Sequence, residues 1–132
     1  MTREQNIETV QRWFEGMRRG KLEIALYAPD VRIDNLKGFP ITGPYHGHDG
    51  VRQWFADLFE VIDGFALEVE EIVPLDDDRV LTTQRLTGRF SHTGIEVDEL
   101  WASIIRIRDG LIVSASGYGS RKQALRAATS SE

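Results

Sequence analysis

The sequence predicts an α+β domain with helices lying on one side of a curved antiparallel sheet. Two observations carry this. Apolar residues recur every three or four positions in two stretches of the first half, the mark of helices with one buried face. From Phe65 to Tyr118 they alternate instead with polar residues, in runs separated by charged or glycine-containing turns. Helices followed by a strand meander pack as layers around a common core, and a pocket between the layers is the natural binding site.

After Ile7, the residues Val10, Trp13, Phe14 and Met17 place one apolar face on a first helix, which Gly20 stops. Leu22 to Tyr27 reads as a second short helix ended by Pro29, because the residue before a proline is pushed out of the helical region. After a turn at Pro29-Asp30, Val31 and Ile33 alternate with Arg32 and Asp34 in a short strand. Asn35 to Gly47, with Gly38, Pro40, Gly43 and Pro44, reads as an irregular loop long enough to serve as a lid. A helix over His48 to Ile62 repeats the three-four spacing through Val51, Trp54, Phe55, Leu58 and Phe59; Asp49 complements its dipole and Gly64 stops it. Phe65, Leu67 and Val69 then open the sheet, Asp76-Asp77-Asp78 makes a turn, and Arg79 to Phe90 returns. A turn at Ser91-His92-Thr93-Gly94 leads into a hairpin of Val97 to Arg108 and Leu111 to Tyr118 around Asp109-Gly110. Arg121 to Ala128 forms a terminal helix, with Thr129 to Glu132 fraying.

Composition narrows the function. A length of 132 residues suits one domain over residues 1–132, burying roughly two-thirds of its unfolded surface. With 16 basic against 21 acidic residues the net charge is −5, which repels nucleic acid and anionic membranes on average. The absence of cysteine excludes disulfides, thiolate nucleophiles and zinc-thiolate sites. The polar opening Met-Thr-Arg-Glu-Gln-Asn is unlike a signal peptide, and no apolar run approaches the ~20 residues of a membrane span, so a cytoplasmic location is expected. No glycine-rich phosphate loop is found, and His46, His48 and His92 do not form a metal constellation, so neither cofactor nor metal is expected.

The strand ending at Asp34 delivers a carboxylate among Trp13, Phe14, Phe39, Tyr45, Trp54, Phe55 and Phe59. A carboxylate withdrawn from water against an apolar wall can serve as a base near neutral pH; the plainer alternative is a strand-end residue bonding local backbone. Strand parity adds that if Ser103 faces the pocket, so do Glu99 and Trp101, while Leu100, Ala102 and Ile104 form an outer face suited to a dimer contact. A one-residue bulge would exchange the two sets. On the last strand the inward set is Val113, Ala115, Gly117 and Gly119, whose small side chains either leave room for a cavity or serve a sharp bend. Arg85 either pairs with Asp34 or Glu99 in the pocket or lies on a solvated face. Trp13, Trp54, Phe55 and Phe59 serve as core, as ligand wall, or as both.

The order of the elements, with Tyr-Ala-Pro-Asp-Val-Arg-Ile-Asp at 27–34, Gly-Pro-Tyr-His-Gly-His-Asp-Gly-Val at 43–51 and Ile-Arg-Ile-Arg-Asp-Gly-Leu-Ile at 105–112, resembles the SnoaL-like branch of the NTF2-like superfamily over nearly the whole chain. That superfamily includes ketosteroid isomerases, polyketide cyclases and limonene epoxide hydrolases. The resemblance implies a cone-shaped sheet with helices on its concave side, and commonly a homodimer through the outer sheet face. It places Asp34 where ketosteroid isomerases keep the proton-shuttling aspartate, and Tyr27 and Phe55 at aromatic wall positions. Trp13 stands in place of their oxyanion-binding tyrosine and Ser103 in place of its protonated aspartate partner. An indole donates a hydrogen bond but cannot share a proton, so steroid isomerisation by that route is not expected. The epoxide-hydrolase Arg-x-Asp reads here as Arg85-Leu86-Thr87, and its second aspartate as Gly117, which removes the carboxylates that chemistry needs. Cyclases of the SnoaL type rely on an acid and a histidine, for which Asp34 and His46 are the candidates.

Together these residues describe a small-molecule enzyme in which Asp34 moves a proton beside a carbonyl of a hydrophobic, cyclic or polyketide-like substrate. Tyr45, Trp101, Ser103 or His46 polarises the oxygen, and isomerase, cyclase and dehydratase chemistry all fit. Trp13, Tyr27, Tyr45, Trp54, Phe55, Phe59, Arg85, Glu99 and Trp101 are the expected substrate contacts. The alternative is a non-catalytic ligand-binding or dimerisation module with the same cavity.

Overall fold

A computed structural model describes residues 2–35, 39, 41 and 43–130. Helix α1 covers Arg3–Arg19 and starts four residues ahead of Ile7. The cause is a reciprocal cap: the Gln5 N–H donates to Thr2 Oγ1 at 3.0 Å, and the Thr2 N–H donates to Gln5 Oε1 at 2.8 Å. Gly20 ends the helix in the left-handed region, φ 67°. Val10, Trp13, Phe14 and Met17 form the buried face, as the spacing predicts.

The expected second helix shrinks to one 3-10 turn, Ile24–Leu26, and strand β1 runs Tyr27–Asp34 straight through Pro29 and Asp30. No turn forms there because the ladder to the neighbouring strand is irregular between Tyr27 and Arg32, so a residue without an N–H is tolerated. After the two-residue strand β2, Tyr45–His46, comes helix α2, Gly47–Val61. The expected lid over 35–47 falls in part on residues 36–38, 40 and 42, outside the described residues. Helix α2 ends because Ile62 turns extended and opens strand β3, Ile62–Pro74. Gly64 is therefore not a helix stop. It lies inside β3, at φ 65°, where the pairing slips between Asp63 and Ala66 as in a bulge.

Strands β4, Arg79–Phe90, β5, Glu96–Arg108, and β6, Leu111–Tyr118, complete the sheet. Asp109 and Gly110 both take positive φ, 53° and 79°, as a tight hairpin needs. Helix α3, Arg121–Ser130, runs past the expected end at Ala128; residues 131 and 132 lie outside the described set. No described helix is long and apolar enough to cross a membrane.

The strand order is β2-β1-β6-β5-β4-β3. All neighbours are antiparallel except β1 and β6, which are parallel, so the sheet is mixed where an antiparallel one was expected. A crossover is unavoidable here: the chain leaves β1, traverses α2 and the meander, and returns beside β1 in the same direction.

The main core joins α1 and α2 to the inner sheet face through Val10, Trp13, Trp54, Val31, Ile33 and Ile105. Helix α3 departs from the expected arrangement. It packs on the opposite face, where Leu81, Ala102 and Ala124 form a second buried cluster with Ile104, Tyr118 and Leu125 against it. The predicted outer set on β5 is correct in parity, but Ala102 is covered by α3 while Leu100 stays 45% exposed. On β6 the inward set holds for Ala115 and fails for Val113. The ladder slips between Arg106 and Ile107, Ile107 pairs with Ile112, and fully buried Ile112 takes the inward place.

Candidate ligand-binding site

Helices α1 and α2 do not fill the inner face completely. Between them and the sheet lies a narrow, open-ended cavity of about 60 Å³. Its wall is largely apolar: Trp13, Phe14 and Met17 from α1, Trp54 and Leu58 from α2, and Phe65, Leu67, Leu86 and Trp101 from the sheet. Ala115 and Gly117 also line it, so the small residues of β6 border open space. Of the expected site residues, five meet here: Trp13, Asp34, Trp54, Trp101 and Ser103.

Asp34 reaches the cavity from the end of β1. In a regular strand it shares a face with Arg32 rather than with buried Ile33. Its carboxylate accepts a hydrogen bond from Arg32 Nε at 2.8 Å and keeps a third of its side chain exposed, so it is a rim group with a partner. Next to it, Asn35 accepts from the Trp54 indole N–H at 3.1 Å and donates through Nδ2 to the Ile41 carbonyl at 2.6 Å. The indole N–H of Trp101 donates to Glu99 Oε1 at 2.7 Å, which places Glu99 outside the wall as the anchor of the ring. Phe39 meets Trp101 edge-on, ring centroids 4.8 Å apart.

The remaining expected contacts lie elsewhere. Tyr27 is buried behind Trp13, and Phe55 borders the same narrow crevice. The Trp13 indole faces the Tyr27 hydroxyl without reaching hydrogen-bond geometry, leaving both polar atoms unpartnered, and burial pushes the Tyr27 hydroxyl up from its usual pKa. Phe59 packs between Phe55 and Phe65. Tyr45 donates to Asp57 Oδ2 at 2.9 Å on α2; burial first, then that bond and the carboxylate charge, push its hydroxyl up to about 12. His46 is exposed on β2, opposite Arg32. His48 donates from Nε2 to the Tyr27 carbonyl at 2.9 Å, and His92 lies in an exposed turn. Arg85 lies on the outer face and donates to Asp98 at 2.6 Å, the solvated alternative rather than a pair with Asp34 or Glu99. Among the described residues no group of three His, Cys, Asp or Glu side chains is placed to hold a metal ion.

Three polar lining residues, Asn35, Gln84 and Ser116, were not anticipated. A signal for Gln84 existed: Thr82 and Gln84 share the parity of Val80 and Leu86, so two polar residues sit on an apolar face. Seeing it required the register that sets Thr82 opposite Ser103.

Chemically, the site is an apolar cavity with a carboxylate at its rim and a hydroxyl within, suited to a small, mostly apolar molecule. A family model described as a SnoaL-like domain matches residues 10–115. TerC, co-crystallised with polyporic acid, is 21% identical with a TM-score of 0.76, over 92% of this chain and 96% of that one. An NTF2-like protein from Burkholderia thailandensis is 24% identical with a TM-score of 0.79, over 94% and 96%. A protein from Catenulispora acidiphila with a ketosteroid isomerase-like fold, in complex with trimethylamine, is 19% identical with a TM-score of 0.72, over 90% of each chain. No curated protein is a significant match. The match over residues 10–115 and the shared architecture of these structures show that the chain belongs to the SnoaL-like family and has the NTF2-like, ketosteroid isomerase-like fold.

Proposed function

We propose that this protein is a cofactor-free enzyme that moves a proton at a carbon beside a carbonyl of a hydrophobic, cyclic or polyketide-like substrate. The observation that carries this is one cavity holding both a carboxylate at its rim, Asp34, and a buried hydroxyl, Ser103, inside an apolar wall. With the ring system among Trp13, Trp54 and Trp101, the Asp34 carboxylate takes the proton and Ser103 donates to the oxygen on which enolate charge develops. Support for a small-molecule ligand comes from the fold neighbours crystallised with polyporic acid and with trimethylamine. The proposal includes a homodimer through the part of the outer sheet face that α3 leaves bare, around exposed Leu100.

A proton-exchange assay tests the chemistry. With 1-tetralone in heavy water followed by NMR, the wild-type protein is expected to accelerate deuterium uptake beside the carbonyl, and Asp34→Asn to return the rate to background. Uptake at the uncatalysed rate, or uptake that Asp34→Asn leaves unchanged, overturns the assignment. A second reading, a non-catalytic ligand-binding module, is favoured by the Arg32–Asp34 pair, since that carboxylate already has a partner. Under it, 1-tetralone binds without exchange and Asp34→Asn leaves binding intact.

A further inference from the structure

The inner faces of β4 and β5 carry three polar side chains in an otherwise apolar wall: Thr82, Gln84 and Ser103, exposed by 0%, 6% and 8%. They form a chain, with Thr82 Oγ1 2.8 Å from Gln84 Oε1 and Gln84 Nε2 2.9 Å from Ser103 Oγ. Burying such groups is unfavourable unless every one is bonded.

The direction of this chain follows from donor and acceptor chemistry. An amide oxygen only accepts, an amide nitrogen only donates, and a hydroxyl does either. Thr82 settles the matter because it is fully buried and Gln84 is its side-chain partner. Turning the amide over would set its nitrogen against Thr82 and strand the Thr82 proton without an acceptor, at the desolvation cost of a buried donor. Thr82 therefore donates to Gln84 and Gln84 donates to Ser103, which leaves the Ser103 proton free. Ser103 and Gln84 line the cavity and Thr82 does not. Of the other polar side chains on the lining, both side-chain atoms of Asn35, the indole N–H of Trp101 and the Asp34 carboxylate already have partners; the Trp13 indole N–H faces the Tyr27 hydroxyl, and Ser116 is a second hydroxyl, set on β6.

We infer that Thr82 and Gln84 are positioning residues that fix Ser103 as a hydrogen-bond donor, so that the cavity selects ring compounds presenting an acceptor oxygen over the matching hydrocarbons. This rests on the ligand-binding reading of the cavity and adds the polarity of the group it holds.

The test compares 1-tetralone with tetralin, the same ring skeleton without the oxygen, by quenching of the intrinsic tryptophan fluorescence. Ser103→Ala is expected to weaken 1-tetralone binding about tenfold while tetralin changes by less than about twofold. Thr82→Val, which does not line the cavity, is expected to give the same selective loss, because the released amide turns over and accepts the Ser103 proton. Thr82→Ser, which keeps the hydroxyl, is expected to restore it. Gln84→Met interrupts the chain at its middle and serves if Thr82→Val does not fold. Parallel losses for both compounds indicate a merely structural role and overturn the inference, as does 1-tetralone affinity unchanged in Ser103→Ala and Thr82→Val. Failure of the wild-type protein to bind either compound overturns the cavity reading together with the inference, whereas binding of both without any selective loss overturns the inference alone.

Discussion

Arg32 Nε donates to the Asp34 carboxylate at 2.8 Å along one face of β1, so the acid at the cavity mouth is tethered by a guanidinium two residues earlier on its own strand. Both side chains are partly solvated, which makes the tether adjustable rather than structural. Arg32→Leu leaves the carboxylate without its partner and more available to accept a proton. Deuterium uptake by 1-tetralone is expected to rise severalfold in this variant, with the unfolding free energy changed by no more than about 0.5 kcal/mol. An unchanged or slower rate argues that Asp34 is not the base.

Trp54 and Asn35 join helix α2 to the segment after β1, since the Trp54 indole N–H is held by Asn35 and Asn35 in turn holds the Ile41 carbonyl. Trp54→Phe keeps most of the ring but leaves the Asn35 oxygen without its donor. A loss of about 1–2 kcal/mol in urea denaturation is expected, together with faster amide exchange around Ile41.

Leu81 and Leu100 separate two uses of the outer sheet face. Leu81 is fully buried beneath α3, and Leu81→Ala is expected to cost about 2–5 kcal/mol in denaturant unfolding. Leu100 is 45% exposed beside α3, and Leu100→Asp is expected to change monomer stability by no more than about 0.5 kcal/mol. If the bare face joins two copies, that same variant is monomeric in sedimentation while the wild-type protein is dimeric.

Asp76 fixes an acid limit to stability. Burial raises its pKa, but the bonds it accepts from the Arg79 side chain and the backbone at 78 and 79, with the Arg79 charge, outweigh that and hold it at about 2, against 3.8 when free. A group with a depressed folded pKa contributes stability above its free value and loses it as pH falls through the folded one. The contribution is therefore full above about pH 4 and gone below about pH 2; discounted for solvent screening it amounts to about 1 kcal/mol. Asp76→Asn is expected to show a smaller loss of stability over this window in acid-denaturation curves.

Much of the framework is legible in the sequence because it depends on local periodicity. Trp13, Phe14 and Met17 declare the buried face of α1, and Asp109-Gly110 declares its hairpin, since both patterns are fixed within a few residues. What is not legible depends on distant partners. Pro29 reads as a turn until β6 is known to pair irregularly beside it, and Gly64 reads as a helix stop until β4 is placed against it. The site divides the same way. Asp34 and Ser103 are found from strand pattern and resemblance, whereas the guanidinium on Asp34 and the amide on Ser103 come from a strand face and a neighbouring strand. Parity alone foretells the first of these, because residues 32 and 34 point the same way.

Strand β1 is hemmed by β2 on one side and by β6 on the other, and the second of these neighbours is the last of the described strands. During synthesis, the described partner of residues 27–34 is the two-residue β2 until residues 111–118 have left the ribosome. The cavity mouth is thus assembled only once β6 has been made, and a nascent chain halted before Leu111 leaves the β6 side of β1 unpaired for chaperones to shield.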